Sequence, residues 1–344
     1  MADFDAIIGQ EQLKERMKAT AESGQCSHAY LLVGERRSGR TMLAKAFAKA
    51  ILCEGEGRKP CNCCLSCLQV EEGSHPDLVY VTHEKPNSIG VDDIRQGVNE
   101  DIILKPYRGT KKVYIVEEAE KMTAQAQNAL LKTMEEPPSY AVILLIATTA
   151  DAMLQTILSR SVLLPIHPVP DEIIRRYLMT EKHIPDYRAD VICAFARGNV
   201  GRAIDIISGE SFEQNKTEAV AILKSLSDAD YGKIYQDSVK LGKVIKEKKE
   251  NNEENRSYLS DLLDFFLVWF RDALVYKSTG RSEGLIFREE IQYIKKVSGD
   301  ISYEGFEDIF RAIEKAKKMI RSNVNIETVS DLLLMSFKDC RKER

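Results

Sequence analysis

Apolar residues along this chain follow two regimes. Up to about residue 166 they form short, nearly continuous runs: AYLLV (29–33), LVYVT (78–82), KVYIVEEA (112–119), AVILLIATT (141–149) and SVLLPI (161–166). Runs of this length without polar alternation predict strands buried on both faces. Between them lie TMLAKAFAKAIL (41–52), VDDIRQGVNEDI (91–102) and AQAQNALLKTMEE (124–136), all rich in helix formers. Thr123 is placed to cap the last of these, and Pro137-Pro138 to end it. Alternating strand and helix predicts an α/β domain with a parallel sheet and right-handed crossovers.

From about 167 the strand pattern stops. PDEIIRRYLMTEKH (170–183) and YRADVICAFARGNVGRAIDIIS (187–208) predict a small helical domain, and the remainder reads as helix. The expected division is 1–166, 167–208 and 209–344. SYLSDLLDFFLVWFRDALVYK (257–277) is apolar nearly all round at its centre, which predicts burial between other helices or against another subunit. KEKKENNEENR (246–256) reads as a solvated helix end or loop, with a nucleic-acid contact as the alternative. There is no internal repeat and no low-complexity tail.

Charge and composition narrow the function. The net charge is −4, which suits a stand-alone DNA binder poorly, because phosphate binding depends on clustered cations. The densest apolar run, FFLVWF (265–270), is bounded by Asp264 and Arg271 and is far short of the roughly 18–20 residues a bilayer needs. The start, MADFDAIIGQEQLKERMK, lacks the basic and apolar parts of a signal segment. The expectation is a cytoplasmic protein with no membrane association. Five of the eight cysteines fall within 53–67, and in a reducing compartment such clustering suggests metal and not disulfides.

That cluster, CEGEGRKPCNCCLSC, places Cys53, Cys61, Cys64 and Cys67 at C-x7-C-x2-C-x2-C. Two short C-x2-C steps let thiolates converge on one ion, and four sulfur ligands with no open position describe structural zinc. Cys63 is left over and could replace Cys61 or Cys64. His75 and His83 read as ordinary loop histidines.

The other chemical motif is GERRSGRT (34–41), which follows a strand and opens a helix. Gly34, Gly39 and Thr41 match the phosphate-loop pattern G-x-x-x-x-G-K-[ST], but Arg40 stands at the lysine. A planar guanidinium does not reproduce the point contact of an ammonium on the β- and γ-phosphates. Lys45, one turn along the helix, is a weak substitute. The strand KVYIVEEA ends in Glu117-Glu118, so a longer side chain stands where an aspartate would hold Mg²⁺. Both departures predict no useful hydrolysis, with ATP and Mg²⁺ doubtful as ligands; the loop is either a degenerate nucleotide site or only a turn in a scaffold.

These features coincide with IIGQEQLKERM (7–17), GSHPDL (73–78), IGVDDIR (89–95) and TILSRS (156–161) after LLIATT (144–149). Over roughly 5–208 the combination resembles the bacterial clamp-loader subunits of DNA polymerase III. That resemblance implies an AAA+ P-loop parallel-sheet domain carrying the zinc insertion, a small helical lid, and an all-α C-terminal collar. Of the family's branches, the degenerate loop, HPDL and a length of 344 residues favour delta prime over the gamma/tau motor, an active gamma-type ATPase being the alternative. The implied partners are the gamma/tau and delta subunits and, through the complex, the sliding clamp and primed DNA. The resemblance also implies that Arg160, with Ser159 before it and Ser161 replacing the family's cysteine, acts as a finger on a neighbouring subunit's ATP. It matches Thr148 or Thr149 to a γ-phosphate sensor and Arg202 to a second sensor in the lid.

Overall fold

The computed structural model describes residues 3–83, 85, 87–209, 211–228, 252–322 and 324–340. It divides into two compact units, Met1–His183 with Ala196–Ile204, and Ile184–Phe195 with Asp205–Arg344.

The first unit is built on five parallel strands, β1 (Ala29–Val33), β2 (Leu78–Val81), β3 (Lys112–Val116), β4 (Ala141–Ala147) and β5 (Val162–Pro165), in the order β2-β3-β4-β1-β5. Every apolar run read as a strand is one, shortened by a few residues where the C-terminal polar tail turns into a loop. Alternate residues face opposite layers. Tyr30, Leu32, Val113, Ile115, Val142 and Leu144 pack beneath α1 (Glu11–Ser23) and α2 (Arg40–Leu52). Leu31, Tyr114, Val116, Ile143 and Leu145 pack on the other side against α4 (Val91–Ile94), α5 (Ala124–Glu135) and α6 (Gln155–Leu158), α3 (Leu65–Glu72) lying beside α2. The central strands β1, β3 and β4 are covered on both faces and have no polar alternation to show, while the edge strand β5 leaves Leu163 exposed.

Helix α2 buries Ala44, Ala46, Ala48 and Ala50 together with Leu43, Phe47, Ile51 and Leu52, Phe47 meeting the Tyr30 ring edge-on at 5.0 Å. Thr123 caps α5, its hydroxyl accepting from the Ala126 N–H at 3.2 Å. Residues 91–102, expected as one helix, are α4 followed by a π-helical turn (Arg95–Asn99) and a 3-10 turn (Asp101–Ile103). The helix loosens at Gly97, where the backbone comes up against Val81 of β2. Asn99 then ties the widened turn to α5, donating to the Ala129 carbonyl at 3.1 Å and accepting from the Thr133 hydroxyl at 2.9 Å. Helices α1 and α6 are not foreseen by the apolar pattern. Helix α7 (Asp171–Thr180) and the start of α9 (Val200–Ser208) complete this unit.

The second unit is helical in its described part: α8 (Asp186–Ala196, whose last residue lies in the first unit), α10 (Ser211–Asp228), α11 (Asn252–Thr279), α12 (Ile291–Asp300), α13 (Tyr303–Arg321) and α14 (Ile326–Asp339). The all-round apolar segment is the centre of α11. Its Leu259, Leu262, Phe265, Phe266 and Trp269 are buried within one cluster with residues of α10, α12, α13 and α14. Asp272 on α11 is fully buried and accepts the Ile286 and Phe287 N–H groups at 2.7 and 2.8 Å, so the carboxylate holds the turn before α12. Of KEKKENNEENR, 246–251 lie outside the described residues and Asn252 begins α11. No helix among the described residues is long and apolar enough to cross a membrane.

Candidate functional site

The phosphate-loop segment follows β1 and is pinned at its start by the Gly34 N–H on the Ala147 carbonyl at 3.3 Å. Gly39, at φ +89°, is the left-handed residue from which α2 begins, a conformation that excludes most side chains. The geometry of an anion-binding turn is therefore kept: a tight loop opening a 13-residue helix.

Its charges are a different matter. Arg36 reaches Glu118 at 3.4 Å, and Lys121 reaches the other oxygen of Glu118 at 2.5 Å. Glu120 accepts the Thr148 N–H at 3.3 Å. Burial pushes the Arg40 guanidinium down from its ordinary range; Glu120, then Glu118 and Glu117, pull it up against the repulsion of Arg36. The carboxylates that would face Mg²⁺ thus face the chain's own cations. Two polar atoms of the loop, Arg40 Nη1 and Ser38 Oγ, are buried without a hydrogen-bond partner. Among the described side chains of the loop, these two atoms suit an anion. Lys45 stands over the Tyr80 ring of β2, 5.3 Å from its centroid, in a cation–π contact and not in the loop. Thr41 lies in the first turn of α2.

The segment that carries Arg202, the residue matched to a sensor, meets the loop through two residues that sequence reasoning missed. Asn199 donates its side-chain amide to the Arg36 carbonyl at 2.8 Å and accepts the Arg202 N–H at 3.1 Å. Gly201 packs so tightly on Arg37, itself at φ +65°, that a Cβ there would sit 2.3 Å from the Arg37 carbonyl oxygen. Gly201→Ala is expected to lower stability by about 1–3 kcal/mol, the usual cost of forcing an atom into a packed contact. Urea denaturation measures it, and an unchanged midpoint would show that this contact is not maintained. The GNVGR run held the signal, but only the fold shows that Asn199 and Gly201 meet the loop.

The four cysteines converge. The Sγ atoms of Cys53, Cys61, Cys64 and Cys67 all lie within 4.8 Å of one another, with Cys53–Cys64 at 4.0 Å and Cys61–Cys67 at 3.9 Å. A tetrahedral ion with sulfur ligands at about 2.3 Å sets its sulfurs about 3.8 Å apart, so this arrangement fits one. Backbone N–H groups point at the sulfurs: Cys61 N at Cys53, Cys64 N at Cys61 and Cys67 N at Cys64, at 3.3–3.4 Å. The Cys63 N–H, chiefly, and that of Cys64 bring the Cys61 thiol down to about 6 against desolvation. Burial pushes Cys53 and Cys67 up. Cys63 is exposed and outside the cluster, which removes it as a substitute for Cys61 or Cys64 in this geometry.

Both histidines lie in loops as expected, but His75 is not an ordinary one. It is 5% exposed. Its Nδ1 accepts the Asp77 N–H at 3.1 Å, so the proton is on Nε2, which donates to Ser66 Oγ at 2.8 Å; Ser66 donates on to the Leu52 carbonyl at 2.6 Å. Burial pushes its pKa down, in keeping with a neutral ring.

Arg160 ends the short helix α6. Its guanidinium pairs with Glu135 at 3.1 Å and donates to the Thr156 carbonyl at 3.2 Å, while Ser159 Oγ donates to that carbonyl at 3.0 Å. Both members of the ion pair are solvent-accessible. None of these partners belongs to 34–41 or 117–120, so the structure does not join Arg160 to its own chain's loop. Thr149 Oγ1 is turned to Asp151 at 3.3 Å.

Residues 9–170 match the family model described as DNA polymerase III, delta subunit. The chain is 27% identical over 331 residues to DNA polymerase III subunit delta' of Bacillus subtilis, covering 96% of each. It is 26% identical to subunit tau of the same organism, covering 92% of this chain and 58% of tau. A solved Thermotoga maritima protein described as gamma subunit-related superimposes with a TM-score of 0.48 at 19% identity, over 95% of this chain and 99% of that one. The chain belongs to the clamp-loader family of DNA polymerase III. Its core is the five-stranded parallel sheet with helices on both faces, and among the described residues after it the regular elements are helices. Arg40, at the start of α2, and Glu117, directly after β3, are departures from the phosphate-loop pattern and its Mg²⁺ aspartate.

Proposed function

We propose that this chain is the delta prime type subunit of a clamp loader, a fixed member of the assembly that stimulates ATP hydrolysis in its neighbour without hydrolysing ATP itself. The observation that carries this reading is the division of labour between two arginines. Arg40 is turned into a loop whose carboxylates and cations balance one another. Arg160 stands on the surface, held by an exposed carboxylate, the Thr156 carbonyl and the Ser159 hydroxyl. A guanidinium delivered in trans neutralises the charge that spreads over a transferring phosphoryl group. Residues 167–208 serve as the lid, 209–344 as the collar, and Cys53, Cys61, Cys64 and Cys67 hold a structural zinc. The partners are the gamma/tau and delta subunits, with the sliding clamp and primed DNA met through the complex, in the cytoplasm. Arg202 and Thr148, without a working loop to report on, keep structural roles beside it.

The purified chain is expected to show no ATP turnover above background, with or without primed DNA. Omitting it from a reconstituted loader is expected to abolish clamp loading. Steady turnover by the chain alone would replace this reading with that of an active gamma-type ATPase. The orphaned Arg40 Nη1 and Ser38 Oγ favour one addition: the loop holds an anion or nucleotide it does not cleave.

A further inference from the structure

The four-cysteine module is joined to a distant, exposed loop by two separate chains of contacts. The first starts beside Cys67: Ser66, between Cys64 and Cys67, receives the His75 ring N–H, whose other nitrogen takes the Asp77 N–H. Asp77 is 1% exposed, and its two carboxylate oxygens accept the Tyr107 and Arg108 N–H groups at 2.6 and 2.7 Å. The second starts beside Cys53: Glu54 accepts the Arg108 guanidinium at 2.7 Å. The first chain ends on Tyr107 and Arg108, and the second on Arg108. Around them the backbone displays three of the four most exposed large apolar side chains among the described residues, Ile103 (76%), Leu104 (62%) and Tyr107 (87%).

A loop that exposes three such side chains gains nothing from burial and has no core of its own. Its start is held from the sheet, where Ile102 is buried and the Tyr140 hydroxyl donates to the Ile102 and Ile103 carbonyls, whereas the polar contacts of its end, at Tyr107 and Arg108, run to the cysteine module. The module therefore acts as an anchor. Closing Cys53, Cys61, Cys64 and Cys67 on one ion fixes α3 and the chain around Cys53, which sets Ser66 and Glu54, which set His75, Asp77 and Arg108.

We propose that metal held by the four cysteines fixes the conformation of the loop at Tyr107 and Arg108, through Ser66–His75–Asp77 and through Glu54–Arg108. This rests on the reading of the cysteine cluster as a metal site.

Hydrogen exchange followed by mass spectrometry on the full-length chain tests it, with native mass spectrometry counting zinc in each sample. Removing zinc by chelation is expected to speed exchange at the Tyr107 and Arg108 amides at least tenfold, while the β4 amides (141–147) stay protected; adding back zinc alone restores the slow rate. Glu54→Gln, which cuts one chain of contacts and leaves every cysteine in place, is expected to keep its zinc and still speed exchange at Arg108 several-fold. Zinc loss that leaves 107 and 108 unchanged while 53–67 opens overturns the proposal and leaves the metal site standing. A zinc-loaded Glu54→Gln chain exchanging like wild type also overturns it, and this holds even if chelation unfolds the whole sheet. A chain that binds no zinc overturns the metal reading and the proposal together.

Discussion

Arg160→Ala in this subunit alone should cut ATP turnover at the adjacent motor site of a reconstituted clamp loader by roughly 10³–10⁵-fold, the range measured for arginine fingers in GTPases. The physical reason is charge placed where the transition state develops it, in a site from which water is excluded. The free chain is suited to delivering it. The Arg160–Glu135 pair is solvent-accessible at both ends, and such pairs contribute about 0–1 kcal/mol. Releasing the guanidinium to a neighbour therefore costs little. Arg160→Lys should recover only part of the rate, because an ammonium lacks the planar fork that spans two phosphate oxygens. Thr41→Ala in the same subunit should leave turnover unchanged, since the loop's charges are already balanced within the chain. The two substitutions together are decisive. If Thr41→Ala removes a share of the turnover and Arg160→Ala does not, the loop is a working nucleotide site and the assignment of roles is reversed.

The second large effect is expected from metal removal. The chain should carry one zinc, measured by elemental mass spectrometry. Cys53→Ser, Cys61→Ser, Cys64→Ser and Cys67→Ser should each lose it, while Cys63→Ser keeps it, because Cys63 is exposed and outside the converging set. Binding of structural zinc contributes on the order of 10 kcal/mol in isolated finger peptides, where metal and folding are one event. Here the α/β sheet has its own core, so the loss should appear as a lowered thermal midpoint of the first unit with its strands retained. The N–H groups directed at Cys53, Cys61 and Cys64 already favour thiolates, and an ion reverses the penalty that burial imposes on Cys53 and Cys67. Retention of zinc by Cys67→Ser, or its loss in Cys63→Ser, would contradict this ligand set.

The strands were legible because a sheet covered on both faces needs unbroken apolar runs, and the five runs have no rival pattern. Residues 91–102 were less so. Helix propensity foretold one helix, and the approach of Gly97 to Val81 opened it into a π turn. Helix α1 was missed because its apolar stripe, with Met17 and Ala21 buried, is narrow among charges. His75 looked like an ordinary loop histidine because its partners, Ser66 and the Asp77 backbone, are identified only once α3 and β2 are side by side.

The sequence by itself determined the α/β order, the all-helical remainder, the sulfur ligand types at short spacings, and the two departures at Arg40 and Glu117. These depend on residue type and near neighbours, which a linear string records. Tertiary structure decided which four of five clustered cysteines converge. It also decided that Asn199 and Gly201 close on the loop, that the loop's arginines answer Glu117, Glu118 and Glu120, and that Asp77 joins the cysteine module to residues 107 and 108. Each of these is a distance between residues remote in the chain, and only the packing of the sheet and its helices sets such distances.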